Sequence, residues 1–573
     1  MTEKTITTTI DGKPVTAKEG QTILEVAREN DIEIPVLCYH PDLKVKASCR
    51  MCVVEVEGIP GLIPACSSPV REGKAILTAS PKVLRARKIN LELLYSQHSK
   101  NCKDCIVQPS CPLLSLARKM EVPVARFEDR KINQPIHQFG PSVLFDGTKC
   151  IDCRNCVEVC QEQGIGFLEL EEKDTFYQVV PSKDPKKDCI YCGQCIVHCP
   201  VGALEGVGEF NEIERPLRDK KKVVVFQFAP SIRSSIGEEF DLPHGSVVTE
   251  KLVGAIKALG ADKVFDVSVG ADFTTLAEAE ELIDRIKKNE DLPMFTSCCP
   301  AWVKYVEFYR PDLIPHLTTV RSPQIILGKI IKTFWAERNN IKPEDIVVVS
   351  IMPCVSKKYE ITRPELSNDG VKPIDYVFTT RELAHLLRKK NIDLAKVIPQ
   401  PADTPFGVPS GAGVIYGASG GVMESALRTA YHSLMGKDLG SLDLTAVRGF
   451  DGVKKATVTV GKKKLNVAVV NGIKNAIAVL GELEKDPHAY DYLEVMSCPG
   501  GCIGGGGQPV PTSEEIRKKR AAALYDIDAA KNIRTAHMNP QVTKLYEKFM
   551  RDKQLHKNIF ITSYSKKEKE VIL

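Results

Sequence analysis

Two cysteine runs of the same spacing constrain this chain more than any other feature of its sequence. Both runs read C-x2-C-x2-C-x3-C, and both fall between residues 150 and 199. The first run consists of Cys150, Cys153, Cys156 and Cys160, and the second of Cys189, Cys192, Cys195 and Cys199. Thiolates at this spacing are typical ligands of iron–sulfur clusters. The repeat therefore predicts a module that holds a pair of clusters.

This module, which we place at residues 135–212, resembles the two-cluster bacterial ferredoxins. In that fold the fourth cysteine of each run binds the cluster of the other run. We therefore expect Cys199 to complete the first 4Fe-4S cluster and Cys160 to complete the second. Gln161 stands where a proline is usual, which affects the turn after the ligand more than the ligation itself.

The composition favours bound metal over disulfide bonds. The N-terminal sequence MTEKTITTTIDGKPV lacks the apolar segment of a signal peptide, and no apolar run approaches the roughly 18 residues that span a bilayer. We therefore expect a cytoplasmic protein, whose reducing surroundings keep the 20 cysteines free for metal. The 78 basic and 73 acidic residues give a net charge of only +5, which favours neither nucleic acid nor a membrane as the main partner.

A further cysteine group lies in the N-terminal region. Its members are Cys38, Cys49, Cys52 and Cys66. The preceding residues predict short strands around the DGK turn and then a helix, which suits a β-grasp domain over residues 1–80 with a 2Fe-2S cluster. The gap of ten residues between Cys38 and Cys49 resembles the large iron–sulfur subunit of respiratory complex I more than plant-type ferredoxins. A structural zinc site is the alternative.

The next group combines one imidazole with thiols, in the order His98, Cys102, Cys105 and Cys111. Such ligands suit zinc as well as iron, so the residues by themselves leave both open. The group lies between two iron–sulfur modules, where redox-silent zinc would interrupt an electron path. The same motif recurs in complex I and its relatives as a 4Fe-4S site with one histidine ligand. We therefore predict a small 4Fe-4S domain at residues 81–125.

From Lys222 onward the sequence alternates strand-like and helix-like segments, which predicts an α/β architecture. The strand candidates are VVVFQFAPS, KVFDVSVGAD, MFTSCCPAW, IVVVSIMPC and YLEVMSCPGGC. The remaining cysteines all lie at the ends of such strands, and in open α/β sheets ligands bind beyond the carboxyl ends. We therefore expect one site built from distant segments. The glycines of residues 499–509 do not form a phosphate-binding loop, because the required Lys followed by Ser or Thr is absent.

Three segments, TSCCPAW, MPCVSKKYE and EVMSCPGGCIGGGGQP, resemble the signature segments of the iron-only, or [FeFe], hydrogenases. With the upstream modules in the same order, almost the whole chain is similar to the large clostridial enzymes with four accessory clusters. The resemblance implies a multidomain α+β and α/β protein whose two-lobed α/β catalytic domain covers residues 220–573. A tail from about residue 512 would correspond to the small subunit.

The resemblance also implies a cofactor and its ligands. The H-cluster is a 4Fe-4S cube joined through a cysteine sulfur to a diiron unit with CO, cyanide and azadithiolate ligands. Its ligand positions match Cys299, Cys354, Cys498 and Cys502, with Cys502 as the bridge. Lys357 matches the lysine that binds cyanide. Further lining positions match Pro230, Ser231, Gln324, Met352 and Met496.

Cys298 is the one cysteine that these clusters do not use. A thiol can accept and release protons, and the alternative is a small buried apolar residue. The resemblance implies a proton path from Cys298 through Glu278, Glu281 and Arg285, on a helix that we expect to begin near Leu276. Thr318 stands where the family has a serine, and Tyr416 where it has a phenylalanine near the diiron unit. The tyrosine could alter local hydrogen bonding.

These features together predict an [FeFe] hydrogenase that interconverts H2 and protons. The alternative is a non-catalytic hydrogenase-like iron–sulfur scaffold, which usually lacks the lysine and the proton path. Two electron partners remain open: ferredoxin, or the flavin-containing iron–sulfur subunits of an NAD(P)-linked electron-bifurcating complex. The chain has no evident nucleotide-binding fingerprint of its own.

Overall fold

A computed structural model of the chain describes residues 5–98, 102–122, 127–173, 176–367, 370–460 and 463–570. Cysteine-rich modules occupy the N-terminal part, and two β-sheets with their helices form the rest. Among the described residues, every helix is too short or too polar to cross a lipid bilayer.

The first module is a small mixed sheet with one helix. Its elements are β1 (Thr5–Ile10), β2 (Lys13–Lys18), α1 (Ile23–Glu29), β3 (Val53–Val56), β4 (Ile63–Pro64) and β5 (Ala75–Leu77). The strand order is β2-β1-β5-β3-β4, in which β1 and β5 are parallel and the other pairs antiparallel. The hydroxyl of Thr22 accepts the N–H of Glu25 and caps α1. The loops after α1 and β4 carry the first four cysteines.

Two helices and a ferredoxin-like module follow. Their elements are α2 (Pro81–Ser96), α3 (Pro112–Lys119), β6 (Ile136–Phe139), β7 (Val143–Asp146), α4 (Asn155–Glu162), β8 (Leu168–Lys173), β9 (Phe176–Pro181), α5 (Gln194–Val197) and β10 (Leu204–Gly206). Strands β10, β7 and β6 form an antiparallel sheet, and β8 pairs with β9. Arg154 precedes α4 and Gly193 precedes α5, and both residues have positive φ. Each cysteine run therefore turns sharply into a helix.

Two four-stranded sheets make up the C-terminal part. The strands are β11 (Val223–Phe228), β12 (Lys263–Asp266), β13 (Met294–Phe295), β14 (Ile346–Met352), β15 (Tyr376–Thr379), β16 (Val453–Val460), β17 (Lys463–Asn471) and β18 (Tyr492–Met496). The first sheet, in the order β12-β11-β14-β15, is parallel throughout. The second, in the order β13-β18-β17-β16, is parallel except for the antiparallel pair of β17 and β16. The two-lobed α/β architecture expected from the sequence is confirmed.

Helices cover both sheets. They are α6 (Phe210–Arg218), α7 (Thr249–Ala258), α8 (Val267–Lys288), α9 (Pro300–Tyr309), α10 (Pro323–Ile330), α11 (Ala336–Arg338), α12 (Ser356–Glu360), α13 (Thr380–Lys389), α14 (Gly411–Ile415), α15 (Gly421–Met435), α16 (Ile473–Leu483), α17 (Glu514–Ala530), α18 (Pro540–Arg551) and α19 (Lys553–Phe560). One apolar core contains Phe167 and Ile196 of the ferredoxin-like module together with Trp302 and Leu493 of the second lobe. The module therefore packs directly on the second lobe.

Helix α8 begins at Val267, earlier than the start near Leu276 that the sequence predicts. The carboxylate of Asp266 accepts the N–H of Ser268 and caps the helix, so the strand candidate KVFDVSVGAD ends at Asp266. Most of α8 is buried, including Glu278.

Candidate active site

A cavity lies where the carboxyl ends of β11, β13, β14 and β18 approach one another. The glycine-rich segment after Cys498 closes one side of it. Residues that the sequence singles out line this cavity, namely Pro230, Ser231, Cys298, Cys299, Gln324, Met352, Cys354, Lys357, Tyr416, Met496, Cys498 and Cys502. The structure thus brings together segments that are far apart in the chain.

Tight backbone packing explains the density of glycines around the cavity. Gly501 has φ +85°, and a Cβ atom there would lie 2.6 Å from the backbone nitrogen of Ser419. At Gly505, a Cβ atom would lie 2.3 Å from the carbonyl oxygen of Pro353. A side chain at Gly505 would push the loops of Cys354 and Cys502 apart, and one at Gly501 would push the Cys502 loop away from Ser419.

The donor set of the cavity fits a bulky iron–sulfur group. The thiols of Cys299, Cys354, Cys498 and Cys502 are soft ligands that line the cavity. Ser231 Oγ and Gln324 Oε1 are buried and have no hydrogen-bond partner among the described residues. Because buried polar atoms are normally paired, these two are available to a bound polar group.

Lys357 reaches the cavity from α12 and is held in place by two contacts. Its Nζ donates to the carbonyl oxygen of Cys298 at 3.0 Å and to Glu360 Oε2 at 2.9 Å. Gln324 Nε2 donates to the same Glu360 oxygen. Burial lowers the pKa of Lys357, but the charge and hydrogen bond of Glu360, together with the nearby Cys298 and Cys354, outweigh burial and leave the pKa raised. Sequence reasoning missed Glu360, although its position three residues after Lys357 on a helix was a signal for an ion pair.

The buried carboxyl group of Glu278 has one hydrogen bond. Its Oε1 accepts the hydroxyl of Tyr492 at 2.6 Å, whereas Oε2 has no partner among the described residues. Burial raises the pKa of Glu278 to about 8. Burial also raises the pKa of the Cys298 thiol, and among charged groups Glu278 raises it most. Tyr492 was not predicted from the sequence.

Glu281 stands one turn further along α8 and has several partners. Its Oε1 accepts from Arg285 Nη2 at 2.6 Å, and its Oε2 accepts from Thr318 Oγ1 at 2.8 Å. Thr319, which sequence reasoning missed, donates its backbone N–H at 3.0 Å and its hydroxyl at 3.1 Å to Oε2. Arg285 also donates to the carbonyl oxygens of residues 291 and 315–317. Glu281, Arg285 and Thr318 therefore lie together.

Tyr416 lines the cavity, and its hydroxyl lies 2.9 Å from Thr275 Oγ1. Thr275 Oγ1 is in turn 2.7 Å from Ser425 Oγ and donates to the carbonyl oxygen of Ala271 at 2.8 Å. The hydroxyl of Tyr416 is thus bonded away from the carboxyl of Glu278.

The thiols of the ferredoxin-like module surround two smaller cavities. Cys150, Cys153, Cys156 and Cys199 line one of them, and Cys160, Cys189, Cys192 and Cys195 line the other. The fourth cysteine of each run thus lies with the other run. This exchange of Cys160 and Cys199 between the two runs was expected from the ferredoxin resemblance and could not be predicted from the cysteine spacing alone.

The two other cysteine groups are also brought together in part. Cys38, Cys49, Cys52 and Cys66 are all buried, and the sulfur atoms of Cys52 and Cys66 are 3.3 Å apart. His98 Nδ1 lies 2.8 Å from the carbonyl oxygen of Lys149, which leaves Nε2 free to bind metal. Residues 99–101, between His98 and Cys102, lie outside the described residues.

Four family models match the chain. They are the 2Fe-2S iron-sulfur cluster binding domain at residues 3–81, the 4Fe-4S dicluster domain at 149–203, the C-terminal domain of the iron only hydrogenase large subunit at 222–506, and the iron hydrogenase small subunit at 514–567. Together they cover most of the sequence.

Two curated proteins are similar along nearly their whole length. The NADP-reducing hydrogenase subunit HndD of Solidesulfovibrio fructosivorans is 42% identical over 95% of this chain and 96% of its own. Iron hydrogenase 1 of Clostridium pasteurianum is 37% identical over 94% of this chain and 96% of its own. A solved variant of the apo [FeFe]-hydrogenase HydA1 from Chlamydomonas reinhardtii matches with a TM-score of 0.57 and 35% identity, covering 63% of this chain and 99% of that one.

Proposed function

The chain belongs to the iron-only, or [FeFe], hydrogenases, and from this premise we propose how its residues hold the cofactor, move protons and pass electrons. The activity is the interconversion of H2 with protons and electrons. The observation that carries the assignment of roles is the cavity in which five cysteines, Lys357 and unpaired polar atoms meet.

Cys299, Cys354 and Cys498 would hold the cube of the H-cluster, and Cys502 would bridge it to the diiron unit. When bound, the H-cluster supplies the metal chemistry that makes and breaks H2. Lys357, Ser231 and Gln324 line the cavity with polar atoms and would bind and orient the polar ligands of the diiron unit. Pro230, Met352, Met496 and Tyr416 line the same cavity and would exclude water from the bound group.

Protons would pass between the cavity and solvent through Cys298, Glu278 and Glu281. Cys298 lines the cavity, and the buried Glu278 has one carboxyl oxygen without a partner among the described residues. Glu281 lies one turn along α8 with Arg285 and Thr318, whose guanidinium and hydroxyl hold both its oxygens. The thiol of Cys298 and the carboxyl groups of Glu278 and Glu281 are of kinds that can accept and release a proton, which is the requirement for a relay.

Electrons would enter and leave through the cysteine-rich modules. We assign a 2Fe-2S cluster to the Cys38 group and a 4Fe-4S cluster to each cavity of the ferredoxin-like module. A further 4Fe-4S cluster is assigned to His98, Cys102, Cys105 and Cys111, since His98 presents Nε2 while Nδ1 is engaged by Lys149. Redox-silent zinc at this position is the alternative, which iron analysis of a His98→Ala variant would distinguish.

We propose flavin-containing, NAD(P)-binding iron–sulfur subunits as the electron partners, with ferredoxin as a second partner. The support is that HndD, an NADP-reducing hydrogenase subunit, is similar along 95% of this chain. The complex would act in the cytoplasm. Purification from the native host tests this point: H2-dependent NADP+ reduction should require partner proteins that co-purify, and a chain that reduces only ferredoxin would contradict it.

Infrared spectroscopy tests the assignment of the cavity. Chain produced anaerobically with the hydrogenase maturation machinery should show CO and cyanide stretching bands and should evolve H2. Replacing Cys502 by alanine should remove both bands and activity while the accessory clusters remain. Unchanged bands in this variant would contradict the assignment of Cys502.

A further inference from the structure

The carboxyl group of Glu278 has a dedicated partner in Tyr492. We infer that Tyr492 is a positioning residue of the proton path: its hydroxyl fixes Oε1 of Glu278 and reserves Oε2 for proton exchange. This inference rests on the proposed function, because it assigns a part of that path. Tyr492 does not line the cavity.

The pair is geometrically well defined. Glu278 is 0% exposed and Tyr492 is 1% exposed, and their oxygens are 2.6 Å apart. Tyr492 begins β18, whose following turn bears Cys498, so the strand that carries a cavity thiol also fixes the carboxyl group. A bond this short, between groups removed from water, restricts the rotation of the carboxyl group.

No other donor among the described residues bonds to Glu278, and its charged neighbours are engaged elsewhere. On α8, both oxygens of Glu281 accept other donors, including Arg285. On β18, Glu494 accepts the N–H groups of Gly420 and Met423. The hydroxyl of Tyr416 lies against Thr275.

The hydrogen bond from Tyr492 lowers the pKa of Glu278 relative to the value that burial alone would give. Burial raises the pKa of Glu278, and the hydrogen bond from Tyr492 opposes this rise by stabilising the ionised form. Burial and the Glu278 charge together raise the pKa of Tyr492 itself, so its hydroxyl remains protonated and acts as a donor. Tyr492 therefore keeps the proton affinity of Glu278 within reach of the pH at which the relay operates.

The test is Tyr492→Phe, which removes the donor and keeps the ring. The matched control is Tyr546→Phe, because the Tyr546 hydroxyl donates at 2.7 Å to Glu280 on the same helix but away from the cavity. Infrared difference spectra follow the C=O band of the protonated Glu278 carboxyl, identified by its loss in Glu278→Gln. Tyr492→Phe should shift this band and raise its titration midpoint by about one pH unit, because hydrogen bonds to charged groups have about that strength.

Turnover of Tyr492→Phe near neutral pH should fall about tenfold, corresponding to that shift. In the Glu278→Gln background, Tyr492→Phe should have no further effect on turnover. The CO and cyanide bands, which should not change, report that the active site is assembled.

An unchanged band and midpoint in Tyr492→Phe, or the same change in Tyr546→Phe, would overturn the inference. The inference would also be overturned if Tyr492→Phe lowered turnover in the Glu278→Gln background as much as it does in the wild type. Full turnover of Glu278→Gln itself would instead refute the proposed proton path, while the infrared midpoint would still report on the pairing.

Discussion

The carbonyl oxygen of Cys192 lies 3.7 Å from the sulfur of Cys498, so the ferredoxin-like module touches a cysteine of the catalytic cavity directly. Gln194 Nε2 donates to the carbonyl oxygen of Gly504 at 3.0 Å across the same junction. A Cβ atom at Gly506 would lie 2.4 Å from the Cα of Gly193. The two backbones therefore meet where only glycine fits, which brings the second ferredoxin cavity beside the catalytic one.

Gly506→Ala should separate the two modules and slow electron transfer between them. The clash with Gly193 should also cost about 1–3 kcal/mol of stability, as overpacked interiors do. Freeze-quench EPR after mixing with H2 should show slower reduction of the accessory clusters at unchanged iron content. Gly481→Ala is the control, because nothing lies within 4 Å of the added methyl group. Reduction at the wild-type rate in Gly506→Ala would contradict this account.

Alanine variants of the two crossed cysteines should have different effects on the electron path. Each should lose one cluster, or about four iron atoms. Cys160 lines the cavity next to the catalytic one, so Cys160→Ala should isolate the active site from every accessory cluster. Cys199 lines the other cavity, so in Cys199→Ala H2 should still reduce the remaining ferredoxin cluster. EPR under H2 distinguishes the two, and the reverse result would mean that the runs do not cross.

Short-range patterns made much of the architecture predictable. Cluster ligands repeat within a few residues, so the cysteine groups are visible as spacing, and alternating segments predicted the α/β part. The [FeFe] hydrogenase resemblance, carried by three contiguous segments around Cys299, Cys354 and Cys498, is confirmed by the family models and relatives.

Partners set by tertiary packing could not be predicted in the same way. Tyr492 and Glu278 are 214 residues apart in the chain, and no local pattern connects them. The spacing of Glu278, Glu281 and Arg285 would suit a solvated helix face equally well, because burial of α8 depends on strands that follow much later. The predicted start of α8 near Leu276 was also wrong. The helix begins at Val267, and its cap, Asp266, lies inside an apolar segment whose sequence is typical of a strand.

Glu360→Gln should loosen the cofactor contacts of the cavity. Glu360 Oε2 accepts from both Lys357 and Gln324, and loss of its charge would leave the largely buried side chain of Lys357 without its carboxylate. Breaking a buried pair costs about 3–5 kcal/mol. We expect a lower unfolding temperature together with broadened CO and cyanide bands. Glu382→Gln is the control, because it breaks the buried pair with Lys358 outside the cavity, at 3.1 Å. Identical bands in the two variants would contradict the role of Glu360.

Glu278 should make stability depend on pH. Its folded-state pKa of about 8 lies above the value near 4.3 in unfolded chains, so the folded chain binds the extra proton between these values. Its contribution is therefore complete below about pH 4 and is lost as pH rises through 8, by at most about 1.4 kcal/mol per pH unit. Denaturant midpoints of wild type should fall relative to Glu278→Gln from pH 5 to 8. Parallel pH dependences would show that Glu278 does not titrate there.

Cys298→Ala should leave the active site assembled and remove the first proton carrier. Cys298 lines the cavity, but its neighbour Cys299 and three other cysteines are the proposed ligands, so iron content and the infrared bands should persist. Turnover should fall by about 10²–10⁴-fold, the usual contribution of a positioned acid–base group. The matched control is Ser297→Ala, because Ser297 Oγ donates to the carbonyl oxygen of Val320 at 3.1 Å outside the cavity. If Cys298→Ala turned over as fast as that control, the thiol would be an apolar packing residue, and protons would have to reach Glu278 without it.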